Sequence, residues 1–488
     1  MPFFAYQYKV DRNRLIIDCR TIGIVIKSDK DKNQKRAFLK RKAKQMERNS
    51  KWYQLDNAAK IIPSTARGGN TRVFRITCEL KEEVDPQILQ NALDQTIIDF
   101  PHFNCVLRKG LFWYYLDARN LQAKVMQDNL PACSPIYFEG RKNLLYRVNY
   151  FSKRINLEMF HVLADGTGAF VFFRALISCY LSMRYGLEIS DETGETSSKT
   201  EKTTDAFRQF YQHQKGLKQL KEMSGQKAYQ LKGEWDENML PHLIEGTVSA
   251  SRFVEVAHIY HTSVGILATS VYIAAVIDEM SLRDQNKPIV VSVPVNLRKY
   301  FPSDTTRNFF GVINISYMPE KYDGSLESII EEVKSSFQCQ LSQDRILQTM
   351  NSYAALEHNI AIKMVPLFIK DLAIWGLNSR AKSGVTSTMS NLGNIEMPLQ
   401  TVPYIDRFCA FMTAPSEQIC ISSFQDKMVF GEVTAYTTHE VMLHFFRRLA
   451  DMDIPVELAS NDYDMEPEHM TAHLHKKERS KDAVLSKM

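Results

Sequence analysis

A short segment of the sequence, H-x-x-x-D-G, combines residue types that suit proton transfer: His161, Asp165 and Gly166. Residues 154–160 before it alternate like a strand, and residues 167–184 after it have the pattern of a long apolar helix. A histidine at a strand end lies where a cleft can open, and it accepts a proton near neutral pH. We therefore predict that His161 is a general base. The alternative is a capped turn with a structurally satisfied histidine.

A second segment, V-P-V-N-L-R, places Arg298 just after a predicted buried strand at 288–293, and R-N-F-F-G follows at 307–311. A guanidinium group makes charge-assisted, bidentate hydrogen bonds with carboxylates. We predict that Arg298 pairs with Asp165 and clamps the two halves of the fold together. The alternative is an ordinary surface arginine.

A third segment, residues 386–394 (TSTMSNLGN), gathers hydroxyl and amide side chains at the end of a predicted strand. Such groups can donate hydrogen bonds to a developing oxyanion. The alternative is a polar loop held by Asx and Ser/Thr turns. The segment is therefore a candidate source of an oxyanion donor.

The elements that must position these side chains alternate between strands and helices in both halves of the chain. In the first half we predict a strand at 71–80, a helix at 85–99 and a hairpin at 144–151 and 154–160. In the second half we predict the following elements: strands at 247–257, 386–390, 407–412, 418–424 and 427–433, and helices at 205–221, 261–280, 326–341 and 440–451. This order indicates a two-lobed α/β (α+β) protein of about 400 residues, each lobe a mixed sheet flanked by helices.

Composition supports a large globular core. The chain has 488 residues, of which 44% are hydrophobic and 24% charged, so a largely disordered chain is excluded. The apolar runs 169–183 and 265–277 fall short of the roughly 18 uninterrupted apolar residues of a membrane span, so no transmembrane segment is expected. The eight cysteines form no C-x-x-C pair, and the first residues lack a continuous apolar segment. We expect a cytoplasmic protein.

The charge is unevenly distributed along the chain. Residues 1–51 hold 15 Lys and Arg against 5 Asp and Glu, whereas residues 52–488 hold 46 against 51. We predict a basic, disordered leader at 1–51, a first lobe at 52–204, a second lobe at 205–460 and a polar tail at 461–488, with the polar stretch 190–204 as a linker. Nucleic-acid binding is not expected because the body is acidic. The tail histidines His469, His473 and His475 are a poor metal cage, so no metal is expected.

Taken together and in order, the three segments resemble the acyltransferase superfamily of chloramphenicol acetyltransferase and the condensation domains of nonribosomal peptide synthetases. The likeness is closest to stand-alone bacterial proteins of the alcohol acetyltransferase type. It spans residues 52–460 and includes W-Y-Q-L-D-N-A-A-K at 52–60 and F-W-Y-Y-L at 112–116. The D-F-G-W-G signature of chloramphenicol acetyltransferase is absent, and S-N-L-G-N stands in that region. This leaves the oxyanion donor open among Thr388, Ser390 and Asn391.

The resemblance implies two lobes in pseudo-twofold relation, with His161 in a tunnel between them and Asp165 as a structural residue. It implies transfer of an acyl group, expected to be acetyl, from a CoA thioester to a small alcohol or amine, without a covalent enzyme intermediate. Acyl-CoA is then a co-substrate, no cofactor is permanently bound, and the residues that hold CoA are not assigned. The alternatives are a condensation-like enzyme that takes thioesters from an acyl carrier protein and a non-catalytic binding member of the fold.

Overall fold

The computed structural model describes residues 52–189, 205–210, 227–237, 240–358, 364–413 and 417–461, without the side chains of 208 and 352–358. The predicted leader 1–51, the linker 190–204, most of the predicted helix 205–221 and the tail histidines lie outside the described residues. The predicted boundary between the lobes at 204 and 205 therefore stays a prediction.

Two large sheets organise the described chain, together with one small sheet. The strands are β1 (Trp52–Gln54), β2 (Val73–Leu80), β3 (Cys105–Lys109), β4 (Tyr114–Ala118), β5 (Met126–Gln127), β6 (Tyr146–Phe151), β7 (Arg154–Phe160), β8 (His242–Ser249), β9 (Ile289–Asn296), β10 (Phe310–Tyr317), β11 (Ser387–Asn394), β12 (Ile405–Met412), β13 (Glu417–Phe424), β14 (Lys427–Thr434) and β15 (Glu457–Ser460). The first sheet has the order β12-β2-β7-β6-β5, the second has the order β10-β9-β11-β13-β14-β8-β15, and the small sheet is β1-β4-β3.

Helices flank both large sheets. They are α1 (Ile62–Thr65), α2 (Pro86–Thr96), α3 (Gly166–Tyr185), α4 (Ala206–Phe210), α5 (Ala250–Ile259), α6 (Val264–Glu279), α7 (Leu326–Gln340), α8 (Gln343–His358), α9 (Leu367–Lys382) and α10 (Glu440–Asp451). Each large sheet packs on its own hydrophobic core, the first around α2 and α3 and the second around α6, α7 and α10. The predicted α/β (α+β) class with mixed sheets is confirmed.

One strand crosses between the two halves of the chain. β12 comes late in the sequence, within the predicted second lobe, yet it pairs antiparallel with β2 at the edge of the first sheet. Its side chains Phe408 and Phe411 are buried in the first core. Burial of these aromatic rings provides the driving force for the crossing, because roughly 1.5–3 kcal/mol accompanies the burial of each large apolar side chain. The first sheet is therefore completed by a strand from the second half of the chain.

Helix α3 leads away from the H-x-x-x-D-G segment. The Asp165 side chain caps its first turn, and Gly186 ends it in the left-handed conformation at φ 68°. By length and composition α3 is the one described helix that could cross a membrane, and the described pair α5 and α6 passes the same test only as one bent span. Phe172, Phe173 and Leu176 of α3 are buried in the first core.

The predicted strand at 247–257 is wrong beyond its first residues. β8 ends at Ser249, whose hydroxyl accepts a hydrogen bond from the Arg252 backbone N–H, and α5 begins at the next residue. Phe253, Val256 and Ala257 then form the buried face of this helix. Their spacing of three and four residues is helical, and the serine cap marks the change of period.

Candidate active site

His161 lies at the junction of the two large sheets. It follows the last residue of β7, and its backbone N–H donates to the carbonyl of Arg72 at 3.0 Å. The imidazole packs edge-on against Phe74 of β2, with ring centroids 5.2 Å apart, and at a tilt against Phe310 of β10, with centroids 5.5 Å apart. The ring therefore touches one strand from each sheet, and His161 is half-buried.

A hydrogen-bonded chain holds the imidazole from one side. Nδ1 of His161 lies 2.9 Å from Oδ1 of Asn308, and Nδ2 of Asn308 donates to Oδ2 of Asp56 at 3.1 Å. The other oxygen of Asp56 accepts the backbone N–H of Ala59 at 2.8 Å. Because the carboxylate accepts from the amide nitrogen, the amide oxygen faces the imidazole and accepts its Nδ1–H. This arrangement assigns the proton to Nδ1 and leaves the Nε2 lone pair available.

Burial shifts the pKa values of the two residues at the ends of this hydrogen-bonded chain, His161 and Asp56. Burial lowers the pKa of His161 below its usual 6.5, the negative charge of Asp165 opposes the shift, and the positive charge of Arg72 adds to it. Burial raises the pKa of Asp56, and the positive charge of Arg307 opposes that shift, its Nε lying 3.7 Å from Asp56 Oδ2. His161 is therefore neutral near pH 7, as a proton acceptor must be.

The structure brings the predicted partners Asp165 and Arg298 into contact. Nη1 of Arg298 donates to Oδ2 of Asp165 at 2.8 Å, and the same oxygen accepts the backbone N–H of Phe309 at 2.8 Å. The other oxygen, Oδ1, accepts the backbone N–H of Gly168 at 2.8 Å. These three partners of Asp165 do not include the imidazole, so its effect on His161 acts through charge and through the loop.

Arg298 also fixes the loop that carries Asn308. Its Nε and Nη2 donate to the carbonyl of Thr305 at 3.1 and 2.9 Å, and Nη2 donates to the carbonyl of Arg307 at 2.6 Å. Together with the Phe309–Asp165 bond, these contacts hold the backbone on both sides of Asn308. The clamp and the amide that faces His161 are therefore parts of one arrangement.

The glycines of the motif allow this close packing. A Cβ at Gly168 would lie 2.0 Å from the carbonyl oxygen of Thr306, which no side chain can accommodate. A Cβ at Gly166 would lie 2.9 Å from Cδ2 of Leu392 in β11. The start of α3 therefore abuts both the 296–309 loop and the segment predicted to supply an oxyanion donor.

The three oxyanion candidates have different surroundings. Thr388 and Ser390 are half-buried on the face of β11 opposite Met389, which is buried in the second core. Asn391 is exposed, and its Oδ1 accepts the backbone N–H of Gly393 at 2.7 Å. The arrangement therefore favours the two hydroxyls over the amide as candidate donors.

β11 also parts from one of its neighbours near these hydroxyls. Its register with β9 consists of Ser387 opposite Val291 and Thr388 opposite Ser292, whereas its register with β13 continues to Asn391 and beyond. Within the described residues the sheet is thus unpaired on one side of β11 from Met389 onward. Such a separation gives backbone groups and side chains access to a ligand.

Two functional candidates were not predicted from the sequence, namely Asn308 and Asp56. Both lie in segments on which the family resemblance rests, but 252 positions separate them, and an amide or a lone aspartate carries no distinctive local pattern. Asn308 and Asp56 come together only because the segment after β1 packs on the 296–309 loop.

One described cluster has the composition of a metal site: Glu279, Glu440 and His444. His444 Nε2 lies 2.8 Å from Glu279 Oε1, and its Nδ1 lies 3.9 Å from Asp278 Oδ2. The cluster is on α6 and α10 and contains none of the residues bonded to His161. It plays no part in the site described above.

Comparisons with known proteins match the fold rather than the sequence. No family model and no curated protein matches the chain. A trichothecene 15-O-acetyltransferase of Fusarium sporotrichioides matches at 10% identity over 82% of this chain and 94% of its own, with a TM-score of 0.59. TRI101 of the same organism, complexed with coenzyme A and T-2, matches at 10% identity over 81% and 97%, with a TM-score of 0.55.

A third solved structure is a condensation domain. The first condensation domain of the calcium-dependent antibiotic synthetase matches at 11% identity over 83% of this chain and 97% of its own, with a TM-score of 0.53. The chain therefore has the fold shared by these acetyltransferases and condensation domains, as the sequence resemblance led us to expect.

Proposed function

We propose that this protein is an acyltransferase that moves an acyl group from a thioester to an alcohol or amine, with His161 as the general base. The observation that carries the proposal is the chain Asp56–Asn308–His161, which holds the proton on Nδ1 and leaves Nε2 unprotonated between the two sheets. Two of the proteins that share this fold are acetyltransferases, which supports the reaction class.

In the proposed reaction, Nε2 removes the proton from the acceptor hydroxyl or amine while that atom attacks the thioester carbonyl carbon. The carbonyl oxygen becomes an oxyanion in the tetrahedral intermediate, and Thr388 or Ser390 donates a hydrogen bond to it. The C–S bond then breaks, and the imidazolium returns its proton to the departing thiolate. A positioned base contributes about 10²–10⁴-fold to the rate. Alignment of the two substrates contributes further.

The surroundings of His161 suit both halves of this cycle. A pKa below 6.5 keeps the imidazole neutral before the reaction, and it makes the imidazolium a good acid for the thiolate afterwards. The Nδ1–H bond to Asn308 and the negative charge of Asp165 stabilise the transient positive charge. Asp165 and Arg298 act through the loop rather than on the substrate.

We propose acyl-CoA, with acetyl-CoA as the first donor to test, because TRI101 shares the fold and its structure contains coenzyme A. A small alcohol or amine is the proposed acceptor. The described cysteines are free thiols, which supports a cytoplasmic location where acyl-CoA is available. A carrier-protein thioester is the second candidate donor, because a condensation domain has the same fold.

The test is a free-thiol release assay with acetyl-, butyryl- and palmitoyl-CoA against a panel of alcohols and amines. Thiol release by the wild type that falls at least 100-fold in His161→Ala supports the proposal. Equal rates for the two proteins would discard it. Release from acyl carrier thioesters alone selects the second donor, and thioester binding without turnover of any pair selects a non-catalytic member of the fold.

A further inference from the structure

Arg72 has an unusual backbone and an unusual side-chain environment beside His161. It stands immediately before β2 with φ at 54°, the left-handed region that non-glycine residues rarely adopt. Its carbonyl accepts the His161 N–H, so this backbone is tied to the base. Its Nη2 donates to Oδ1 of Asn378 at 3.4 Å, and its buried Nε has no hydrogen-bond partner among the described residues.

A second cation lies near Arg72 without an acidic partner. Lys382 follows Asn378 by one turn at the end of α9, and its side chain is half-buried. Burial and the positive charge of Arg72 lower the pKa of Lys382, and burial lowers the pKa of Arg72. In the described part of the chain, no carboxylate lies within ion-pair distance of either group.

Two other arginines with little solvent exposure in the described part of the chain have carboxylate partners. Arg75 contacts Asp128 and Glu158 at 2.6 and 2.8 Å, and Arg298 contacts Asp165. A buried charge without a counter-charge is costly, by several kcal/mol in typical cases. Arg72 and Lys382 are both half-buried, and neither has a carboxylate partner in the described part of the chain. Two such neighbouring cations indicate that a ligand supplies the negative charge.

We propose that Arg72 and Lys382, with the amide of Asn378, bind one oxyanion group, a phosphate or a carboxylate, of a substrate that reacts at His161. Arg72 offers its free Nε and a planar fork that matches two oxygens, and Lys382 adds a point charge. That the ligand is a substrate rests on the proposed acyl transfer; that the site binds an oxyanion does not.

The proposed oxyanion site combines one residue from each of two segments, the start of β2 beside His161 and the end of α9. Arg72 enters the first sheet opposite His161, whereas Lys382 stands four residues before Thr386, at the start of the segment with the oxyanion candidates. The negative group can therefore belong to the phosphate of a pantetheine arm or to a carboxylate on the acyl group or the acceptor. These sources share one recognition chemistry and are separated by experiment.

The first experiment measures oxyanion binding alone. Inorganic phosphate and malonate are titrated calorimetrically at low ionic strength into the full chain and into Arg72→Gln, Lys382→Gln and Arg380→Gln. We expect at least one ion to bind the wild type and the Arg380→Gln control equally, because Arg380 is exposed on the same helix. Binding should weaken about 10-fold or more in the other two variants. Equal binding by all four proteins, or none by the wild type, overturns the site.

The second experiment assigns the anionic group through pairs of substrates that differ by one anionic group. The pairs are acetyl-phosphopantetheine against acetyl-pantetheine, malonyl-CoA against acetyl-CoA, and a hydroxy acid against the matching alcohol. We expect Arg72→Gln and Lys382→Gln to raise KM about 10-fold, in one pair only, for the member that carries the additional anionic group, with KM for the other member of that pair unchanged. An equal change for both members of every pair overturns the substrate assignment.

The two failures are distinguishable. If the wild type releases no thiol from any donor, the proposed acyl transfer fails, while the titration still decides whether the site binds an oxyanion. Melting temperatures of the variants check that Arg72→Gln folds, and Lys382→Gln provides an independent test if it does not.

Discussion

Two histidines occupy the same kind of position in the two halves of this protein. His161 follows the hairpin β6–β7 and precedes α3, and His439 follows the hairpin β13–β14 and precedes α10. The hairpin turns also match, since Ser152 and Gln425 both adopt left-handed backbones at φ 50° and 52°. Each histidine thus lies in the connection between a hairpin and a helix, His161 directly after the strand and His439 directly before the helix.

The partners of the two rings differ. Nδ1 of His439 lies 2.6 Å from Oε2 of Glu432, and both residues are buried. Nδ1 of His161 faces a neutral amide instead, and this residue is half-buried. A carboxylate against the ring stabilises the imidazolium more strongly than a neutral amide does. The comparison teaches that the partner and the access to the ring, not the position in the fold, make one histidine a candidate base and the other a structural group.

The largest expected effect separates the two histidines directly. His161→Ala should lower turnover at least about 100-fold with an unchanged melting temperature, because it removes the base. His439→Ala should lower the melting temperature, because it leaves Glu432 buried without its partner, and turnover per folded molecule should stay near that of the wild type. Thiol release and calorimetry on both variants decide this. A reversed pattern would exchange the roles assigned to the two rings.

The next effect concerns the 296–309 loop beside His161, which the ion pair between Arg298 and Asp165 helps to hold. Arg298→Ala should lower the free energy of unfolding by about 3–5 kcal/mol, because Asp165 is left buried without its cation. Lys299→Ala is the matched control, since the neighbouring lysine is exposed. Urea unfolding measures both. An equal, small loss in the two variants would remove the role of the clamp.

A smaller effect probes the amide partner. Asn308→Ala should lower kcat/KM by about 10-fold, because one hydrogen bond to the imidazole is lost. In the wild type, kcat/KM should rise with pH below 6.5 and level off above it, because the pKa of His161 is lowered. Asn308→Asp adds negative charge beside the ring and should move the rising limb of the kcat/KM profile to higher pH. An unmoved limb would contradict the assignment, and Asn314→Ala, on the exposed face of β10, is the control.

The smallest effect concerns the carboxyls behind His439. Burial and the charge of Glu432 raise the pKa of Glu417 well above 4.5, and Tyr272 donates to it at 2.7 Å. Above pH 4.5 the folded chain therefore binds more protons here than the unfolded chain, and its stability falls as pH rises. Glu417→Gln should remove part of this slope, at most about 1.4 kcal/mol per pH unit, with no change in turnover. Identical slopes in urea unfolding from pH 5 to 8 would refute it.

The sequence predicts the clamp well and the amide chain poorly. Arg298 and Asp165 have opposite charges and lie next to predicted strand and helix ends. Few other residues could neutralise both of these charges at those positions. Asn308 and Asp56 carry no such constraint, because an amide finds hydrogen-bond partners almost anywhere. Their contact depends on packing between distant segments, which no local pattern encodes.

Helices and strands are likewise predictable where the local sequence pattern is clear. Helix α10 is predicted with its observed bounds, because one of its faces is apolar and the opposite face is polar. Helix α9 is not predicted, because Phe368, Leu372 and Leu377 are exposed and blur the apolar period that marks a buried face. Among the oxyanion candidates, the two-residue period of a strand separates Asn391 from Thr388 and Ser390, and that separation is readable from sequence once β11 is recognised.

The crossing of β12 has a consequence for synthesis on the ribosome. The chain emerges from its first residues at about 5–20 residues per second, and β2 has no neighbour on one side until Ile405–Met412 has been made. For that interval the nascent first sheet presents an open edge, the kind of surface on which chains aggregate. A gene fragment that stops before β12 should therefore yield insoluble protein, and the two halves of this molecule are not separable units of expression.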